Sequence, residues 1–110
     1  MHEPSKNFIS FHIAGFKYWE GAFALPKLKV GQKLRLKMEP DNPIDPNAIA
    51  IYRKDIKLGY IPHDQNAAIS QLMFFGHANV FETLVLSIDP KADPWKQVYA
   101  SVRVKDARKK

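Results

Sequence analysis

The chain has 110 residues, 45% of them hydrophobic, and a formal net charge of +6. That length supports one modest core and argues against two domains, while the absence of cysteine excludes a disulfide framework and any thiolate metal site. No apolar run approaches the roughly 18 residues of a membrane span, and the start "MHEPSKNFIS" lacks the basic-then-apolar order of a secretion signal. The expectation is a soluble, cytoplasmic protein with no membrane partner.

The charge is unevenly placed. Arg103, Lys105, Arg108, Lys109 and Lys110 stand against Asp106 alone, which leaves 12 basic and 10 acidic groups for residues 1–102. Bulk charge therefore does not explain what the body of the chain binds.

In chain order, "NFISFHIAG" joins β-branched and aromatic residues before Gly15 and predicts a strand. "KYWEGAFALPKLKVG" is broken by Gly21, Pro26 and Gly31 and predicts an extended segment running into a loop. "KLRLKM" alternates strictly, with Lys33, Arg35 and Lys37 on one face and Leu34, Leu36 and Met38 on the other, which predicts a half-buried strand. "AIAIY" and "IKLGYIP", joined through Arg53-Lys54-Asp55, predict a hairpin.

After Pro62, Asp64 is the predicted cap of a helix carrying Ala68, Ile69, Leu72 and Met73 on its apolar stripe, with Gly76 as its stop. "NVFETLVLSI" and "QVYASVRV" predict two more strands, the second placing Val98, Ala100, Val102 and Val104 on one face. About six short strands and one clear helix predict a mainly β fold. Closure removes exposed strand edges, so the expected form is a small barrel.

Three stretches carry candidate chemistry. "EPDNPIDPN", residues 39–47, gathers Glu39, Asp41 and Asp45, and carboxylates suit a hard cation. The spacing does not match a calcium loop, and Pro43 and Pro46 stand where such a loop needs a flexible backbone. Asn42-Pro43 and Asp45-Pro46 make a rigid turn without any ligand, because Asn and Asp side chains fold onto the backbone that follows. No sequence pattern for a nucleophile, a Walker loop or a zinc protease occurs, and His2, His12, His63 and His77 are scattered, so the chain reads as neither an enzyme nor a cofactor or metal binder. "Lys17-Tyr18-Trp19" sets a cation beside two aromatics, a pattern that suits base stacking near a phosphate, although Trp19 also suits a plug for the barrel end. The row Lys33, Arg35 and Lys37 suits either a phosphate track or a solvated outer face.

Taken together, "FHIAGFKYWEG", "LKVGQKLRLKMEPDNPIDPNAIAIY" and "LGYIP" followed by the helix resemble the HIRAN family, found at the amino end of fork-remodelling helicases and as free-standing bacterial proteins. The resemblance covers about residues 8–104, leaving 1–7 as an N-terminal extension and 105–110 as a basic tail without apolar periodicity. It implies an OB-like or SH3-like six-stranded β-barrel with one or two helices. It also implies a module that binds single-stranded DNA at a free 3′ end, at damaged DNA or stalled forks.

The family's basic-aromatic-aromatic triplet falls on Lys17, Tyr18 and Trp19. Its polar pair near the terminal sugar falls on Asn42 and Asp45, beside Asp41, and Tyr60 and His63 fall near positions that reach bases or backbone. Lys17 stands in place of an arginine, Trp19 in place of a tyrosine, and Asp41 where an asparagine can occur. A carboxylate close to DNA is repelled unless it faces a donor, so the expectation is that Asp45 accepts a hydrogen bond from a terminal 3′-hydroxyl, with Asn42 beside it, Tyr18 or Trp19 on the last base and Lys17 on a phosphate. A protein-interaction module that recruits a helicase or nuclease, and an RNA-binding barrel, are the alternatives.

Overall fold

The computed structural model describes residues 5–19, 21–106 and 108. Six strands, β1 (Ser5–His12), β2 (Lys33–Met38), β3 (Ile49–Arg53), β4 (Ile56–Tyr60), β5 (Phe81–Ile88) and β6 (Val98–Lys105), form one sheet in the order β1-β6-β5-β2-β3-β4. Every pairing is antiparallel. Among the described residues, strand pairing runs from Ser5 to Lys105. In the tail, Arg108 pairs with Asp106, and residues 107, 109 and 110 lie outside the described set, as do 1–4 with His2.

The mainly β reading holds, but the barrel is only loosely met. No continuous seam joins the two outer strands. Ala14, just beyond β1, makes an isolated bridge to Tyr60 of β4 through two backbone hydrogen bonds of 2.9 and 2.8 Å. The sheet therefore curls until its ends touch at one point.

Period-two patterning is visible where one face meets the core. Along β2, Leu34 is buried and Leu36 and Met38 half-buried, while Lys33, Arg35 and Lys37 face solvent. Along β6, Val98, Ala100 and Val102 are buried; Val104, expected with them, is exposed near the end of the strand. Ser101 is buried on the other face, where its hydroxyl donates to Asn7 Oδ1 and so remains satisfied. Phe11, Ile13, Phe16, Ile49, Ile51, Leu58, Ile61 and Ile69 complete the core with these side chains.

Two expectations need correction. The segment after Gly15 is helical rather than extended: a 3-10 turn at Phe16–Tyr18, a short helix α1 (Gly21–Ala24) and a second 3-10 turn at Leu25–Lys27. Phe16, Ala24 and Leu28 anchor it in the core, and Pro26 sits in the first turn, where its missing N–H costs nothing. The second correction concerns α2 (Ala67–Phe74). Asp64 lies in a preceding 3-10 turn, and Asn66 occupies the cap position without a side-chain bond to its own helix.

Of the predicted stripe on α2, Ile69 is buried and Met73 half-buried, whereas Ala68 and Leu72 are exposed because a two-turn helix meets the core along a narrow line. Its end does follow Gly76: the His77 N–H reaches Leu72 O and the Gly76 N–H reaches Met73 O, satisfying two terminal carbonyls. Among the described residues no helix is long and apolar enough to cross a membrane.

The bridge depends on Gly59. Its φ is 151°, and a Cβ there would stand 2.2 Å from Ala14 O and 2.8 Å from Ile13 Cγ2. Any side chain must push the two strand ends apart. Gly59→Ala is therefore expected to lose at least about 2 kcal/mol of stability in urea denaturation, because strain and overpacking act together.

Candidate functional site

The bridge brings three parts of the chain around one cleft of about 810 Å³: the turn after Gly15, the connection between β2 and β3, and β4 with the segment that follows it. Trp19, Asp41, Asn42, Asp45, Tyr60 and His63 all line it. Lys17 and Tyr18 do not. They lie on the adjoining 3-10 turn, where Tyr18 is 81% exposed and Lys17 Nζ stands 6.0 Å from its ring centroid. The basic row on β2 also lies outside the cleft lining, and Arg35 is engaged with the Lys54 carbonyl and the Tyr52 ring.

The connection of residues 39–48 builds itself from its own polar atoms. Asn42 Oδ1 accepts from the Ile44 and Asp45 N–H groups at 2.9 and 3.1 Å, and its amide donates to Glu39 Oε1. Asp45 Oδ1 accepts from the Asn47 N–H, and the Glu39 N–H closes the base of the loop on Ala48 O. These are the short Asn and Asp turns the sequence announced, with prolines fixing φ after each. At the tip, Ile44 is 91% exposed on the lip of the cleft.

Asp45 does more than shape its own turn. Its Oδ2 accepts from Asn66 Nδ2 at 2.8 Å and lies 2.9 Å from His63 Nδ1, so it pins the loop to the start of α2. The hydrogen bond to His63 holds the Asp45 carboxyl below its ordinary value, helped by Asn66 and the Asn47 N–H against the opposing effect of burial. In return, the Asp45 carboxylate raises the His63 imidazole above its own.

A second charged group lies at the floor. Lys57 Nζ bonds Glu39 Oε2 and donates to the Tyr60 hydroxyl at 2.7 Å, while that hydroxyl donates to Glu39 Oε1 at 2.7 Å. The ammonium also sits 3.7 Å from the centroid of the Trp19 indole. Burial works against both charges, yet the hydrogen bonds win: Glu39 stays below the ordinary carboxylate value and Lys57 above the ordinary lysine value.

Burial raises the Tyr60 phenol as well. Its hydroxyl is already committed to Lys57 and Glu39, so Tyr60 meets the cleft with its ring. In the sequence Glu39 reads as a candidate metal carboxylate, and nothing there marks Lys57, Asn66 or Ile44. Residues 39 and 57 become neighbours only through the β2-β3-β4 pairing, which no local pattern announces. Among the described residues no cluster of three or more metal-ligating side chains occurs.

A family model described as the HIRAN domain matches residues 6–105. The chain belongs to the HIRAN domain family. That family is known as a nucleic-acid-binding module. Among solved structures, a protein from Lactobacillus plantarum is similar at 24% identity and a TM-score of 0.75, covering 93% of this chain and 97% of that one. The HIRAN domain of human HLTF is similar at 17% identity and a TM-score of 0.60, covering 96% of this chain and 84% of that one. At these identities the likeness speaks for the fold. No curated protein matches significantly.

The Asp45–His63 pair of this HIRAN domain gives a pH expectation. The raised His63 value makes its contribution complete below the ordinary 6.5, and lost as pH rises through the folded-state value. The lowered Asp45 value makes its contribution present above the ordinary 3.8, and lost as pH falls through the folded-state value. The pair is thus strongest between those limits. In an NMR titration His63 is expected to show a midpoint above 6.5 that returns towards 6.5 in Asp45→Asn. An unchanged midpoint in that variant contradicts the pairing.

Proposed function

We propose that the cleft binds the 3′ end of a single-stranded DNA, with Asp45 as acceptor for the terminal hydroxyl. The observation that carries this reading is the fixed orientation of Asp45 in the same cleft as a partly exposed indole. Three donors already hold the carboxylate, and a carboxylate offers about four lone-pair positions, which leaves room for one more donor. A free 3′-hydroxyl is such a donor. An esterified oxygen has no proton to give, and a 3′-phosphate brings charge repulsion.

Trp19, 43% exposed, and Ile44 offer apolar surface on the same cleft for the last base, and Tyr18 with Lys17 lies just outside it for the next base and a phosphate. Asn42 acts by holding the Asp45 N–H, His63 and Tyr60 border the ligand, and Asp41 adds a negative charge that disfavours a phosphate at the end position. A role at damaged DNA or stalled forks, and a cytoplasmic site of action, belong to the same proposal and rest on the family resemblance.

Short oligonucleotides ending in a 3′-hydroxyl are expected to bind about tenfold or more tightly than the same oligonucleotides ending in a 3′-phosphate, the equivalent of one unsatisfied polar group. Asp45→Asn should narrow the gap by weakening the first and relieving the second. Equal affinities for both ends in the unaltered protein would sink the end-recognition claim. Because few phosphates are held, log affinity should fall only shallowly with log salt; a slope near that of a long basic groove contradicts the arrangement. The same titration with RNA oligonucleotides decides between the two polymers.

A second reading, a surface for a helicase or nuclease partner, draws on Phe74 and Phe75, which stack edge to face and are largely exposed at the end of α2. It gains only if oligonucleotides fail to bind at low salt.

A further inference from the structure

Trp19 is held by Lys57 and Tyr60 and stays 43% exposed. Its indole and the Tyr60 ring meet at 6.0 Å between centroids with an interplanar angle of 64°, and both converge over Gly15, where a Cβ would lie 3.8 Å from Trp19 Cδ1 and 3.9 Å from Tyr60 Cδ1. The Lys57 ammonium lies 3.7 Å from the indole centroid, and its own side chain is only 12% exposed. Lys57 donates to Glu39 and to the Tyr60 hydroxyl, and the indole takes the remaining side of the ammonium. Two of its protons are thus committed, and with the side chain largely buried against the indole little of the ammonium is left to grip a phosphate.

This disfavours the ordinary use of a lysine in such a cleft. Lys57 instead performs two tasks at once. It cancels the Glu39 carboxylate, which would otherwise repel an anionic strand from the floor of the cleft. It also fixes the indole through its ring face, an attraction that strengthens as the cation is withdrawn from water. The face of the ring that carries the cation is closed to a base.

We infer that Lys57 is a positioning residue: held by Glu39 and Tyr60, it fixes Trp19 as a stacking surface for the terminal base and neutralises the floor beneath it. This rests on the strand-end reading of the cleft. It adds to that reading a residue that touches no ligand yet closes one face of the indole to a base and sets how strongly the cleft tolerates an anion. The arrangement also explains why Tyr60 contributes its ring rather than its hydroxyl, since the hydroxyl is consumed in holding the ammonium.

The test uses a Trp95→Phe background, so that Trp19 is the remaining indole, and compares Lys57→Met/Glu39→Gln, Lys57→Arg and Trp19→Ala. The paired variant removes both charges together and leaves no unpaired carboxylate. Circular dichroism melting checks the fold. If the paired variant does not fold, Lys57→Gln takes its place, keeping a donor for Glu39 without a cation against the ring.

In the absence of any ligand, the neutral variant should lose the protection of the indole from acrylamide quenching, and Lys57→Arg should recover most of it. Binding of a 3′-hydroxyl oligonucleotide should fall about tenfold in the neutral variant, and adding Trp19→Ala should cost little more, because the two residues act as one unit. Unchanged quenching, or unchanged affinity beside a weakened Trp19→Ala, overturns the role of Lys57 and leaves the strand-end reading standing. Absence of oligonucleotide binding by the unaltered chain overturns the strand-end reading and the stacking role of Lys57 with it, even where quenching shows that Lys57 restrains the ring.

Discussion

Two backbone hydrogen bonds between Ala14 and Tyr60 tie the beginning of the fold to its middle. Through them the turn carrying Trp19 is fixed against β4, which carries Lys57 and Tyr60, and the sheet is held in its curled form. They form only because residue 59 has no side chain, since the Ala14 carbonyl occupies the space a Cβ would need. The contacts of Trp19 with Lys57 and Tyr60 are conditional on that approach.

The cleft is also an exercise in charge cancellation. Glu39 is answered by Lys57, and Asp45 by His63 and Asn66, so the acidic character of the "EPDNPIDPN" segment is largely spent on internal partners. This resolves the apparent conflict between an acidic loop and a polyanionic ligand. What remains directed outward is apolar surface from Trp19 and Ile44, the exposed carboxylate of Asp41 and the residual acceptor capacity of Asp45. Affinity from such a surface comes from stacking and directed hydrogen bonds, in keeping with the small excess of positive charge in the body of the chain.

Much of the fold was legible. Strict alternation in "KLRLKM" announced β2 because one face meets the core and the other meets water, and Gly76 announced the end of α2. The segment following Gly15 was misread because its three glycine and proline breaks suggested extension, whereas burial of Phe16, Ala24 and Leu28 makes helical turns the better way to reach the core. Asp64 and Asn66 are equally good caps by residue type, and it is Asn66 that stands at the cap position and gives its amide to Asp45.

At the site, the turn chemistry of Asn42 and Asp45 was readable because their partners are two or three residues away. The Glu39–Lys57 pair was not, since 18 residues and two strand pairings separate its members. The family motifs include the cleft residues Trp19, Asn42, Asp45, Tyr60 and His63, whereas Lys57 and Asn66, which hold them in place, carry no such mark in the sequence.

The loop of residues 39–48 is fastened at its base, at its middle and to α2 before any ligand arrives. A site in that condition has already met the entropic cost of ordering, so a partner finds its shape ready and no rearrangement need precede docking. Association would then be governed by diffusion and orientation, and differences between ligands would be read almost wholly in how long each stays.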